Sequence, residues 1–119
     1  MSKIIDLPTF QDERGGLTVI ENEIGFSIKR VYYMYGVDGV RGEHRHKKTI
    51  QALICLVGSC SVYLNDGVKE RTIQMARPNK CLILEPKDWH SMSDFSSNCV
   101  ILVLASETYD KEDYIDEPY

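Results

Sequence analysis

Short runs rich in β-branched and aromatic residues, divided by turn residues and lacking helical periodicity, constrain the fold of this chain most strongly. They predict strands at Leu17–Glu21, Ile28–Tyr35, Ile50–Leu56, Ser59–Leu64, Lys69–Met75, Lys80–Leu84 and Asn98–Ala105. Between two of these strands, the dipeptide Asp66-Gly67 favours a tight hairpin turn. Regularly spaced short strands of this kind indicate an all-β fold, either a sandwich or a small jelly-roll barrel.

Two segments are less regular than the rest. Residues 4–10 predict an additional strand, either on the same domain or exchanged with a second subunit. Residues 107–119 contain six acidic residues and one lysine. This tail predicts either a short helical turn followed by an extended end, or an edge that docks on a partner.

Length and composition narrow the class of protein. A chain of 119 residues is long enough for one buried core and too short for two, so we expect a single domain over residues 1–119. No run approaches the roughly 18 apolar residues of a membrane helix, and the N-terminus lacks a hydrophobic signal core, which predicts a cytoplasmic protein without a membrane partner. The four cysteines show no zinc-binding spacing, so we expect reduced, buried thiols.

The charge of the chain is unevenly distributed. The net charge is −4, which argues against a protein that coats nucleic acid. Residues 41–48, with the sequence RGEHRHKK, carry four cations and one carboxylate, a local charge of +3 that leaves −7 on the remainder. An acidic protein with one basic segment is the feature of this chain that a function has to explain.

The same basic segment contains a histidine pair. His44 and His46 are separated by one residue, so both imidazoles face the same side of a strand. Together with Gln51 and the later His90, they resemble the cupin superfamily, in which an H-x-H pair, a carboxylate at the Gln51 position and a third histidine hold a metal. A neutral amide is a poor ligand for a divalent cation, which favours acid/base use of the histidines over metal ligation.

A narrower resemblance covers most of the chain, from about residue 12 to residue 115. The segments that carry it are SIKRVYYMYG, RGEHRHKKTIQALICLVGSCSVYLNDG, EPKDWHSMSDFSSNCVILVLAS and YDKEDYI. They resemble the dTDP-4-keto-6-deoxyhexose 3,4-ketoisomerases, the WxcM-like sugar isomerases among the cupins. The resemblance implies a small cupin jelly roll, a dTDP-sugar substrate, no metal or other cofactor, and a homodimer. It also implies a place in the synthesis of 3-amino-3,6-dideoxyhexoses for surface glycans.

This resemblance also implies roles for single residues. His46 is expected to be the main proton shuttle and His44 its partner on the oxygen side. Strand alternation sends Tyr33 and Tyr35 to one face and Tyr32 to the other. A tyrosine hydroxyl facing the barrel would polarise the keto oxygen, and we predict Tyr33 for this catalytic role. For any single tyrosine, packing in the core is the alternative.

A diphosphate needs cationic donors. Arg41 and Lys47 occupy positions that match the family, and Arg14 in DERGGL is a further candidate. Trp89 is predicted either to stack on the ligand or to plug the core. The predicted substrate-binding residues are thus Arg41, Lys47, Arg14, Tyr35, Gln51, Trp89 and His90.

Two other functions remain open at this point. The first is a metal-dependent small cupin enzyme that uses His44, His46 and His90 as ligands, because three imidazoles are a known zinc set. The second is a sugar-nucleotide-binding module that has kept the fold and lost turnover.

Overall fold

The computed structural model describes residues 2–119, and antiparallel β-strands dominate it. The strands are β1 (Lys3–Asp6), β2 (Thr9–Asp12), β3 (Gly15–Thr18), β4 (Arg30–Tyr35), β5 (Arg41–His46), β6 (Gln51–Val57), β7 (Cys60–Asn65), β8 (Glu70–Met75), β9 (Lys80–Leu84), β10 (Trp89–Ser93), β11 (Val100–Ala105) and β12 (Tyr114–Ile115). One turn of 3₁₀ helix, Lys111–Asp113, precedes β12. No helix among residues 2–119 has the length and apolar character to span a membrane.

Two five-stranded sheets form the body of the molecule. The first sheet has the order β1-β9-β6-β11-β4, and the second sheet has the order β12-β5-β10-β7-β8. A separate two-stranded hairpin consists of β2 and β3. The prediction of an all-β jelly roll is confirmed, and within residues 2–119 its two sheets face each other without hydrogen-bonded closure into a barrel.

Apolar side chains fill the space between the sheets, and a second apolar cluster covers the outer face of the first sheet. In β6, Leu53 and Cys55 point into the central core, whereas Ala52 and Ile54 belong to the outer cluster. Because both of its faces are buried, this strand is a continuous apolar run rather than an alternating one. The cysteines Cys55, Cys60, Cys81 and Cys99 are all buried and reduced.

Several predicted strand boundaries needed correction. Residues 4–10 do not form one strand. β1 ends before Pro8 and β2 begins after it, because proline has no N–H to donate to a neighbouring strand. β1 pairs with β9 of its own chain. The predicted strand Leu17–Glu21 is wrong in its bounds, since β3 ends at Thr18. β10 was not predicted, because its inward residues include the polar His90.

The predictions for the hairpin and the tail agree with the structure more closely than these strand boundaries do. β7 and β8 pair as a hairpin, and Gly67 at its tip has a φ of 92°. The tail contains the short helical turn and extended end that its sequence allowed, and its extended end is β12. β12 pairs with β5, so the tail lies beside the strand that carries both histidines of the H-x-H pair.

Candidate active site

Neighbouring strands of the second sheet bring the three histidines together. His44 on β5 lies directly opposite His90 on β10 in the antiparallel register. The ring centroid of His44 is 4.8 Å from that of His90 and 5.0 Å from that of His46. The H-x-H alternation on one strand and the cross-strand register therefore place all three imidazoles in one group between the sheets.

A β-bulge precedes His44 on β5. The pairing shifts between His90 and Ser91, so that Ser91 lies opposite Gly42 and Glu43 has no partner. Gly42 has a φ of 87° and Glu43 a φ of 62°, a left-handed conformation that is costly for a residue with a side chain. Bulges of this kind re-aim a side chain, and here the side chain that follows is His44.

Each histidine uses Nδ1 to donate to a fixed acceptor. Nδ1 of His44 donates to the Gly42 carbonyl at 3.0 Å, and Nδ1 of His90 donates to the Asp88 carbonyl at 3.1 Å. Nδ1 of His46 donates to the Asp113 carboxylate at 2.8 Å. In a neutral ring this leaves Nε2 as the proton acceptor. Nε2 of His46 is buried and has no hydrogen-bond partner.

The buried carboxylate of Asp113 links the tail to β5. It accepts hydrogen bonds from the imidazole of His46, the backbone N–H of Lys48 and the hydroxyl of Thr49. Burial alone would raise the pKa of Asp113, but these donors outweigh burial and hold the pKa below its ordinary value. Asp113 is therefore ionised and orients the ring of His46.

Burial makes all three histidines weak bases. It lowers the pKa of His90 to about 3, with a further contribution from the neighbouring His44. The pKa of His44 is lowered by burial and by the adjacent His46, and the pKa of His46 is lowered by burial despite its hydrogen bond to Asp113. At neutral pH the group therefore consists of three uncharged rings.

A cavity of about 270 Å³ opens between the two sheets beside these rings. Its polar lining residues are Arg30, Tyr32, Arg41, His44, Gln51, His90 and Tyr114. The side-chain amide of Gln51 donates to the Tyr32 hydroxyl at 3.0 Å, while its carbonyl oxygen is buried without a partner. An unpartnered buried acceptor calls for a donor, which a hydroxyl-bearing ligand in the cavity would supply.

Two further features bear on how the site is used. Within residues 2–119, no three His, Cys, Asp or Glu side chains are arranged to hold a metal ion. A larger cavity of about 670 Å³ lies between the β2–β3 hairpin and the outer face of the first sheet, with Arg77 as its one charged lining residue. Because that space has no acid/base group, we place the chemistry at the histidine cavity.

Comparison with known proteins places the chain in a family. The family model described as "WxcM-like, C-terminal" (FdtA) matches residues 1–119. The chain belongs to the WxcM-like family.

Characterised relatives agree with that assignment. The chain is 48% identical to the TDP-4-oxo-6-deoxy-alpha-D-glucose-3,4-oxoisomerase of Aneurinibacillus thermoaerophilus, over 96% of this chain and 85% of that protein. It superimposes with a TM-score of 0.94 on the sugar 3,4-ketoisomerase QdtA from Thermoanaerobacterium thermosaccharolyticum in complex with TDP, at 44% identity over 98% of this chain and 88% of QdtA. A third match is the WlaRB TDP-quinovose 3,4-ketoisomerase of Campylobacter jejuni, with a TM-score of 0.92 and 41% identity over 98% and 92% of the two chains.

Within the WxcM-like fold, the predicted site residues divide into two groups. His44, His90, Gln51 and Arg41 line the cavity. His46 is not a lining residue, although its ring centroid is 4.5 Å from that of Tyr114, which does line the cavity.

The predicted tyrosines do not join the histidines. Tyr33 and Tyr35 are 63% and 70% exposed on the outer face of β4. The alternation of the strand sends Tyr32 inward instead, where it lines the cavity and packs against the core. In this chain, Tyr32 therefore occupies the inward position that the sequence analysis gave to Tyr33.

Three other predicted binding residues also lie apart from the cavity. Arg14 is at the exposed tip of the β2–β3 hairpin, where it pairs with Asp12. Lys47 is exposed beyond the end of β5. Trp89 neither stacks over the cavity nor plugs the core, because its indole N–H donates to the backbone carbonyl of Asp116 at 2.8 Å and so holds the tail.

Three residues at the site were not predicted from the sequence. Asp113 and Tyr114 belong to the acidic tail, and Arg30 begins β4. Asp113 and Tyr114 lie in the segment YDKEDYI. The resemblance of this segment to the family was the signal that could have identified them. The register that pairs Tyr114 with His46 could not be inferred from the sequence.

We predict that Gly42→Ala destabilises the fold and disturbs the site. A Cβ at Gly42 would lie 3.1 Å from the His90 carbonyl oxygen, in addition to the strain of a φ of 87°. Gly39→Ala is the matched control, because Gly39 also has a positive φ but has open space around it. Urea unfolding should show a loss of about 1–3 kcal/mol for Gly42→Ala, larger than that for Gly39→Ala. Equal losses would contradict a tight bulge.

We also predict that stability falls as the pH drops below about 6.5. Unfolded histidines gain protons near that pH, whereas folded His90 stays neutral down to about pH 3, so the unfolded state binds more protons in this range. For His90 the slope is up to about 1.4 kcal/mol per pH unit. Urea unfolding from pH 7 to pH 4.5 measures it, and His90→Gln should reduce the slope. An unchanged slope in His90→Gln would refute this account.

Proposed function

We propose that this WxcM-like protein is a 3,4-ketoisomerase that converts a dTDP-4-keto-6-deoxyhexose into its 3-keto isomer, without a metal or other cofactor. The observation that carries the proposal is a neutral imidazole, His44, facing a small polar cavity in a chain whose relatives are named for this reaction. Such a product would serve the synthesis of 3-amino-3,6-dideoxyhexoses for surface glycans, in the cytoplasm.

The reaction moves a carbonyl group by one carbon. A base removes the proton from C3, an enediol forms, and a proton is delivered to C4. General acid–base catalysis by a positioned histidine suits both transfers, because one imidazole above the C3–C4 edge can accept the first proton and return it at the second carbon.

We assign this role to His44, which lines the cavity, rather than to His46, which does not. The hydrogen bond from Nδ1 to the Gly42 carbonyl leaves Nε2 of His44 free to take the proton. His46 and Asp113 form a buried ion pair when His46 is protonated, and the ring of His46 meets the ring of His44 edge-on at 5.0 Å between centroids. His46 is thus a positioning residue in this proposal.

Tyr32 and Gln51 are placed to recognise a sugar hydroxyl. The Gln51 amide donates to the oxygen of Tyr32, so the Tyr32 hydroxyl keeps its own hydrogen to donate. The unpartnered carbonyl oxygen of Gln51 accepts in return. A hydroxyl group, which both donates and accepts, satisfies this pair in full.

The cavity volume indicates which part of the substrate can be enclosed between the sheets. About 270 Å³ lies below the range typical of sites that enclose drug-sized ligands, so the sugar enters and the nucleoside diphosphate stays at the mouth. Arg41 lines the cavity and is exposed to solvent, which suits a bidentate contact with a phosphate. Lys47 and Arg14 do not line the cavity, so we leave them out of the diphosphate contact.

The direct test is proton NMR of dTDP-4-keto-6-deoxyglucose incubated with the protein in deuterated buffer. We expect loss of the C3 proton signal and appearance of the 3-keto isomer. His44→Asn should lower kcat by at least about 10²-fold while TDP binding is retained, because it removes the base and leaves the phosphate contacts. The acid limb of kcat/KM should lie below pH 6.5, since the pKa of His44 is lowered from that value.

Other outcomes would select another function. Activity that is lost on chelation and restored by a divalent metal would indicate a metal-dependent enzyme. TDP binding without turnover in the wild-type protein would indicate a binding module. Full turnover in His44→Asn would refute the assignment of the base.

We propose in addition that two copies of this chain pair through the outer face of the first sheet. β4 is an edge strand there and presents exposed Val31, Tyr33 and Tyr35. Exposed apolar side chains beside an unpaired strand edge are typical of a subunit interface. The β2–β3 hairpin carries two further exposed apolar side chains, Phe10 and Leu17, which lie opposite each other in its register.

Sedimentation velocity tests the dimer. The wild-type protein should sediment as a dimer at micromolar concentration, and the double variant Val31→Glu/Tyr33→Glu should shift it to monomer because it places charge on the apolar face. Val68→Glu is the control, since Val68 is 87% exposed in the β7–β8 turn. A monomeric wild-type protein, or a dimer unaffected by the double variant, would contradict the proposed surface.

A further inference from the structure

Arg45 separates the two histidines of the H-x-H pair, and its side chain has no part in the reaction outlined above. Strand alternation turns it to the outer face of the second sheet, away from the imidazoles of His44 and His46. There its guanidinium lies over the tail, with its central carbon 4.3 Å from the ring centroid of Tyr119. The residue between two site histidines is thus engaged with a residue 74 positions further along the chain.

The guanidinium of Arg45 also makes two directed hydrogen bonds to the tail. Nη1 donates to the Tyr119 hydroxyl at 3.1 Å, and Nε donates to the Glu117 backbone carbonyl at 3.3 Å. A guanidinium combines stacking on an aromatic ring with several donors in a fixed fork, whereas an ammonium group is a point charge. Arg45 therefore fixes both the position and the direction of residues 117–119.

The ring of Tyr119 lies in a socket formed by separate segments of the second sheet. Its hydroxyl donates to the Lys87 backbone carbonyl at 2.9 Å. A Cβ on Gly67 would lie 2.9 Å from the ring, so the ring packs directly on the backbone at the tip of the β7–β8 hairpin. Together with Arg45, these contacts attach the end of the tail to three different elements.

The tail needs such an anchor because its own strand is short. β12 consists of Tyr114 and Ile115, and it pairs with β5 alone. Even a complete two-stranded hairpin is only marginally stable in water, so two paired residues do not hold themselves in place. Because Tyr114 forms part of the wall of the histidine cavity, loss of this pairing would open that wall.

We infer that Arg45 is a positioning residue for the cavity. By holding residues 117–119 it keeps β12 in register, and so it keeps the ring of Tyr114 in the cavity wall without touching the substrate itself. Asp113 is the anchor on the other side of β12. The consequence for turnover rests on the ketoisomerase function proposed above, whereas the hold of Arg45 on the tail does not.

The single tryptophan of the chain reports on this hold. The indole N–H of Trp89 donates to the Asp116 carbonyl at 2.8 Å, one residue before the carbonyl that Arg45 binds. A tail that leaves the sheet removes this hydrogen bond and exposes the indole to water, which shifts its emission to longer wavelength and increases quenching by acrylamide. Trp89 fluorescence therefore measures docking of the tail independently of turnover.

The test compares Arg45→Met with Arg71→Met. The first variant keeps the apolar stem of the side chain and removes the guanidinium. Arg71 is an exposed arginine on β8 of the same sheet, so it is the matched control. Tyr119→Ser removes the partner ring, and the double variant Arg45→Met/Tyr119→Ser tests whether the two side chains act as one contact. Trp89 emission and quenching, the Kd for TDP, and kcat and KM for dTDP-4-keto-6-deoxyglucose are measured for each protein.

We expect Arg45→Met and Tyr119→Ser to increase the quenching of Trp89 equally, with no further increase in the double variant, because both remove the same contact. In all three variants kcat/KM should fall about 10-fold to 10²-fold, the effect of a displaced wall on substrate orientation. The Kd for TDP should keep its wild-type value, since Arg41 is unchanged. Arg71→Met should match the wild type in every measurement.

An unchanged Trp89 signal in Arg45→Met would overturn the inference, as would additive effects of the two substitutions. A loss of turnover in Arg71→Met, or a loss in Arg45→Met with equally weakened TDP binding, would indicate general loosening of the sheet and would also overturn it. An inactive wild-type protein would overturn the proposed function, while the fluorescence comparison would still decide whether Arg45 holds the tail.

Discussion

The hydrogen bonds of one buried carboxylate hold the site together. Asp113 binds the imidazole of His46, the N–H of Lys48 and the hydroxyl of Thr49, across more than sixty residues of chain. A buried charge is costly unless its partners satisfy it, and here the partners are three donors from a single stretch of chain around the end of β5. The tail can therefore lie against β5 in one register, and that register decides which tail side chain faces the cavity.

The contacts with the tail change the interpretation of the basic segment, residues 41–48. Its charge first suggested a binding surface for a diphosphate, yet of its four cationic side chains only that of Arg41 lines the cavity. The guanidinium of Arg45 stacks on the ring of Tyr119 and donates to the Glu117 carbonyl. Much of the segment thus serves to attach the acidic tail, which explains why an acidic protein carries both features.

Sequence patterns predicted the strands and the histidine cluster because both depend on local alternation. The apolar run of β6 and the spacing of His44 and His46 are readable without knowledge of the fold. Which tyrosine faces inward is a different matter, since alternation separates Tyr32 from Tyr33 without saying which side meets the core. The contact of Asp113 with His46 and the hold of Trp89 on the tail depend on long-range register, for which local patterns contain no information.

The bulge in β5 determines which side chains of that strand face the cavity. Arg41 and His44 are three positions apart, an odd spacing that would turn them to opposite faces of a regular strand. The unpaired Glu43 changes that parity, so Arg41 lies opposite Met92 and His44 lies opposite His90, two inward positions of β10. A single extra residue therefore lets the guanidinium of Arg41 and the imidazole of His44 share one wall of the cavity, and its deletion would turn the two side chains to opposite faces of the strand while leaving both in the chain.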